Sequence, residues 1–82
     1  MSDKHRNAGL VLLALGDARD QRTLASLVRE LEPNIDEAEA RGALVSLRKR
    51  GMVASLDGGQ GYVLWWLTKE GVYVRDLLDA AA

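Results

Sequence analysis

Residues 35–53, reading IDEAEARGALVSLRKRGMV, constrain the fold more than any other part of the chain. Asp36 can cap a helix, because its carboxylate accepts from backbone N–H groups that a first turn leaves unpaired. Ala40, Ala43, Leu44 and Leu47 recur at helical spacing, so that helix turns one apolar stripe to a core. Arg48, Lys49 and Arg50 fill its last turn, where the helix dipole favours cations. Gly51 follows as a left-handed C-terminal cap, and Met52-Val53 begins a strand. A capped helix that passes through glycine straight into a strand admits few architectures.

The flanking segments narrow the choice. Residues 4–15 read as a first helix, with Leu10, Leu13 and Ala14 on one face and Val11 and Leu15 beside them, and Gly16 ends it. Residues 17–22 form a polar connection of low β propensity, with room for a minimal strand at most. Thr23 caps a second helix whose stripe is Leu24, Leu27, Val28 and Leu31. Pro33-Asn34 ends it, because proline has no N–H and excludes the residue before it from helical geometry. Ile35 then sits as an apolar plug before the helix that Asp36 opens. Helix, short turn, plug and helix make a helix-turn-helix pattern.

Beyond Gly51, residues 52–56 read as a strand, 57–61 as a glycine-rich hairpin loop and 62–67 as the partner strand. Thr68 caps a last helix carrying Val72, Tyr73, Val74, Leu77 and Leu78. Repeats and linkers are absent from the sequence, which reads as one domain over residues 1–82. The predicted class is α+β, mainly α: a three-helix core, a two-stranded hairpin and a C-terminal helix.

A chain of 82 residues buries little more than about 60% of its unfolded surface. Its stability margin is therefore thin, and association through an apolar face would add to it. The absence of cysteine excludes disulfides and thiolate metal sites and fits a reducing, cytoplasmic setting. No apolar run approaches the ~20 residues of a membrane span. The short run after the charged N-terminus contains Gly9 and leads to no cleavage-type site, so it reads as a helix, not as a signal peptide.

Catalysis finds no constellation either. His5 is the one histidine, which leaves Ser2, Ser26, Ser46 and Ser55 without an activating partner and offers no metal cluster. Asp36 and Glu39 belong to a helix surface, not a cleft. The expectation is a protein that is not an enzyme and holds no metal or cofactor.

Three patterns carry a resemblance. They are Leu24-x-x-Leu27 with Leu31, then Ala43-Leu44-x-x-Leu47-x-x-x-Gly51-x-Val53, then Trp65-x-Leu67-Thr68-x-x-Gly71. In this order they resemble the winged helix-turn-helix domain of small prokaryotic and phage transcriptional regulators, from about residue 10 to residue 78. The resemblance implies double-stranded DNA as partner and a recognition helix at about 36–50 in the major groove. On that helix the family's base-reading positions correspond to Glu37, Ala38, Arg41 and Gly42, with Val45 and Arg48 further along. Arg41 and Arg48 would meet guanine or phosphate, and Lys49 and Arg50 would meet phosphates. A homodimer is also expected, and a two-fold dimer predicts a palindromic site.

Three features depart from the family pattern. The net charge is −1, and residues 34–51 carry only four basic against three acidic side chains. Asp36, Glu37 and Glu39 would face polyanionic DNA, or else serve only the helix dipole and cap. The loop Asp57-Gly58-Gly59-Gln60-Gly61 has no cation for a minor groove. Finally, if Val63, Trp65 and Leu67 face the core, then Tyr62, Leu64 and Trp66 share the other face and need a cover, whether the first helix or a partner. These residues, with Val74, Leu77 and Leu78 of the last helix, are the candidate interface. They also support an alternative function, a winged-helix module that binds a protein through this face or the acidic helix face and leaves DNA alone.

Overall fold

The computed structural model describes residues 3–16, 21–57, 59 and 62–81, with the side chains of residues 3–5 excepted. Helix α1 (Asp3–Leu15) leads to a two-residue strand β1 (Arg22–Thr23), then α2 (Leu24–Leu31) and α3 (Glu37–Lys49). Strands β2 (Val53–Asp57) and β3 (Val63–Leu67) form a hairpin, and α4 (Lys69–Ala81) closes the series. The sheet is antiparallel in the order β1-β3-β2. It thus has three strands, one more than the hairpin read from sequence. The third pairs Arg22 with Trp65 and Thr23 with Leu64.

Local chemistry sets the boundaries. Thr23 Oγ1 accepts from the Ser26 N–H at 3.2 Å and starts α2. At α3, Asp36 Oδ1 accepts from the Glu39 N–H at 2.8 Å, while Glu39 Oε1 accepts from the Asp36 N–H at 3.2 Å. This reciprocal pair is a capping box, which satisfies two backbone donors at once. Gly51 ends the helix with a φ of 78°, a conformation that costs a Cβ-bearing residue about 1–2 kcal/mol.

The core lies where α1, α2 and α3 meet the inner face of the sheet. Leu15, Leu27, Ile35, Leu44, Leu47 and Leu67 are all but sealed from solvent. Burying such a side chain contributes about 1.5–3 kcal/mol. The predicted stripes of α2 and α3 are the ones that meet the core, with Leu24 and Val28 at its margin. Helix α1 differs from expectation. It buries Asn7, Val11, Leu12 and Leu15, while Leu10 and Ala14 pack at the margin and Leu13 is 44% exposed. Residues 10–15 are all apolar, so periodicity cannot choose among faces; packing against α3, with α2 and α4 on the flanks, decides.

The hairpin is also shifted slightly from the predicted limits. Met52 lies outside β2, and its carbonyl accepts from the Thr68 N–H at 3.1 Å, which ties the base of the hairpin to the start of α4. Thr68 closes the junction twice over. Its hydroxyl donates to the Gly51 carbonyl at 2.6 Å and accepts from the Gly71 N–H at 3.1 Å. The loop residues Gly58, Gln60 and Gly61, and residues 17–20 of the first connection, lie outside the described residues. Helix, helix-turn-helix, hairpin and helix together make a winged helix.

Candidate nucleic-acid interface

Helix α3 turns Ala40, Ala43, Leu44 and Leu47 to the core, so its opposite face is fixed to solvent. On that face Glu37, Ala38, Arg41, Gly42, Arg48 and Lys49 are exposed and Val45 is half-buried, while Arg50 is exposed as the residue that caps the helix end. The structure therefore places the residues expected to contact DNA, Arg50 excepted, on one side of one helix.

Beside α3 lies an open cleft of about 480 Å³. One wall is the beginning of α2, with Thr23, Leu24 and Ala25. The helix contributes Glu37, Arg41, Val45 and Arg48, and the strand β3 contributes Val63 and Trp65 with Tyr62 just before it.

The two arginines of the cleft are held differently. Arg41 Nη2 lies 2.9 Å from Glu37 Oε1, one helical turn away, with both side chains about two-thirds exposed (62% and 64%). That pair is solvent-screened and easily exchanged for another anion. Arg48 is more firmly placed. Its Nη1 donates to Ser55 Oγ at 3.1 Å, and its guanidinium carbon stands 5.5 Å above the Trp65 ring centroid. A cation over an indole face gains about 0.5–1 kcal/mol at an exposed site. The wing strands thereby hold an arginine of α3 at the mouth of the cleft. Lys49 and Arg50, by contrast, make no side-chain ion pair among the described residues.

Every acid at the start of α3 has a partner inside the chain. Asp36 and Glu39 form the capping box, and Glu37 pairs with Arg41. Their presence on the helix is thus accounted for without a ligand.

The candidate interface residues fall into two groups. On the outer face of the sheet, Ala54 pairs with Trp66 and Leu56 with Leu64. Leu64 and Trp66 are half-buried and Leu56 is exposed, and none belongs to the core or its margin, whereas Tyr62, expected on this face, precedes β3 and lines the α3 cleft with Val63 and Trp65. On α4, Leu77 is 53% exposed and Leu78 37%, but Val74, expected at an interface, is half-buried against the domain's own core. Sequence reasoning passed over Leu13, Leu56 and Tyr73 as interface candidates, although Tyr73 is 66% exposed and stands one turn before Leu77. That i, i+4 spacing was the available signal. Among the described residues, no group of three or more metal-ligating side chains assembles, and no helix is long and apolar enough to cross a membrane.

No protein-family model and no curated protein matches the chain. Solved structures do. BpsR of Bordetella bronchiseptica, whose DNA binding is regulated by 6-hydroxynicotinic acid, is 28% identical and superimposes with a TM-score of 0.78 over 90% of this chain and 55% of its own. A MarR-family transcriptional regulator from Rhodococcus sp. RHA1 is 23% identical, with a TM-score of 0.73 over 92% of this chain and 51% of its own. A possible HxlR-family transcriptional factor from Thermoplasma volcanium is 22% identical, with a TM-score of 0.74 over 95% of this chain and 72% of its own. The chain thus spans about half the length of the first two. The fold is the winged helix of such regulators.

Proposed function

We propose that the chain is the DNA-binding domain of a transcriptional regulator, with α3 seated in the major groove of double-stranded DNA. The observation that carries this reading is the exposed face of α3, where Arg41 and Arg48 flank the cleft and Lys49 and Arg50 stand at the helix end. Arg offers a forked donor pair to guanine O6 and N7, so Arg41 and Arg48 read or clamp the duplex. Lys49 and Arg50 neutralise phosphates, and Glu37 and Ala38 lie against the base edges at the first turn. The likeness to BpsR, a DNA-binding protein, supports DNA as the partner.

The domain acts as a homodimer and performs no catalysis. Its apolar contact is the exposed α4 surface of Tyr73, Leu77 and Leu78, which a second copy would cover, while Val74 beside them packs against the core of its own domain. Two copies related by a two-fold axis bind a palindromic site with half-sites about one helical turn apart or a multiple of it. A cytoplasmic location follows from the proposed role.

Selection from a random duplex library tests the reading. Enrichment of a two-fold motif by the wild-type chain, with relaxed preference at one or two positions for Arg41→Ala, is the expected result. A library that emerges unenriched contradicts sequence-specific binding.

A further inference from the structure

Asn7 is the one buried polar side chain among the described residues, at 8% exposure. Its amide Nδ2 donates to Glu39 Oε2 at 3.2 Å. The other oxygen of the same carboxylate, Oε1, accepts from the Asp36 N–H and closes the capping box of α3. Glu39 is therefore shared between the start of α3 and the buried face of α1. The preceding residue, Arg6, donates from Nη2 to the Asn34 carbonyl at 3.2 Å, in the turn that leads into α3. Two consecutive side chains of α1 thus hold the turn and the first residues of the candidate recognition helix.

A groove of about 410 Å³ runs between α1 and α3, lined by Asn7, Glu39, Gly42, Ala43 and Ser46. Beyond Glu39 the α3 residues on that groove, Gly42, Ala43 and Ser46, are all small, and none has a side chain long enough to set an angle against α1 by itself. A hydrogen bond between a buried amide and a carboxylate can, because leaving the amide unpaired is costly.

We propose that Asn7 is a positioning residue for DNA binding, acting through Glu39 to set the pose of α3 relative to the body of the domain. The inference rests on the DNA-binding reading for its functional consequence but not for its geometry. Glu39 is then an anchor and not a base-reading acid, and its charge faces α1.

The test uses a reversal of the bond. Asn7→Asp sets two carboxylates against each other. The double variant Asn7→Asp/Glu39→Gln restores both bonds with the donor and acceptor exchanged: the new amide donates to the new carboxylate, and its oxygen still accepts from the Asp36 N–H. Residual dipolar couplings of free protein report the orientation of α3 against α1, and anisotropy on a selected duplex reports affinity, both well below the melting temperature. Expected for Asn7→Asp are shifted α3 couplings and about tenfold weaker binding, both reversed in the double variant. Unchanged α3 couplings in Asn7→Asp, or a shift that the double variant does not reverse, would overturn the proposal even if melting falls. A wild-type chain that binds no duplex would retire the DNA-binding reading instead, while the couplings still decide whether Asn7 sets the pose.

Discussion

Gly71 opens α4 against the carbonyl oxygen of Met52, and a Cβ built on Gly71 would fall well inside van der Waals contact with that oxygen. The obstruction is backbone, so no side-chain rotation relieves it. The same carbonyl accepts from the Thr68 N–H, so helix and hairpin base are held together at one point. The spacing Leu67-Thr68-x-x-Gly71 thereby has a physical meaning: a cap and, one turn later, a residue without a side chain where α4 crosses the chain entering the wing.

Gly71→Ala should therefore cost about 1–3 kcal/mol, as overpacking typically does. Gly42→Ala is the matched control. Gly42 is a helical glycine with nothing within 4 Å of its would-be Cβ, so alanine there should add about 0.5–1 kcal/mol. Urea denaturation of the two variants should move the midpoint in opposite directions; a common direction would contradict the described junction.

Glu37→Gln should tighten DNA binding several-fold. The change removes a negative charge from the face turned to a polyanion and releases Arg41. Stability should move by less than about 0.5 kcal/mol, because both partners are largely exposed. Anisotropy and thermal melting of the same preparation separate the two effects. Equal or weaker affinity would mean that Glu37 itself makes a favourable contact, as with a cytosine amino group.

Arg48→Ala should weaken binding on all sequences or on one base position, and the two outcomes assign its contact to phosphate or to a base. In the phosphate case, the slope of log K against log salt falls by about one. Ser55→Ala removes the hydrogen bond that steadies Arg48 but leaves its charge and its Trp65 platform. It should reduce affinity less than Arg48→Ala does. A larger loss for Ser55→Ala would contradict a supporting role.

Much of this arrangement was legible in the sequence. Helices α2 and α3 each carry a capping side chain, one clean apolar stripe and a firm stop, so local chemistry and packing agree on them. The α1 face was not legible, because six successive apolar residues fit several faces equally well. At the site, exposure of Arg41 and Arg48 follows from the buried stripe of α3, and the Glu37–Arg41 pair follows from i, i+4 spacing. The Asn7–Glu39 and Arg48–Trp65 contacts join segments far apart in the chain, the first across 32 residues, and only the folded packing brings them together. Two-residue β1 was similarly faint, since its pairing is decided by β3.

Leu77→Glu, or Tyr73→Glu one turn earlier, places a charge on the exposed apolar face of α4. Sedimentation equilibrium should show a dimer for the wild-type chain and a monomer for either variant, with circular dichroism unchanged. A Trp66→Ser variant tests the outer sheet face in the same way. Dissociation by Trp66→Ser alone would move the subunit contact from α4 to the wing.

The most direct test of the DNA-binding reading is fluorescence anisotropy of the wild-type chain on random duplex DNA, titrated at low and then moderate salt. Micromolar binding that weakens steeply as salt rises, with a slope reduced in a Lys49→Ala/Arg50→Ala variant, is the predicted result, because counterions leave the phosphates that these side chains neutralise. No binding at low salt, or binding indifferent to salt, would contradict the placement of α3 on DNA.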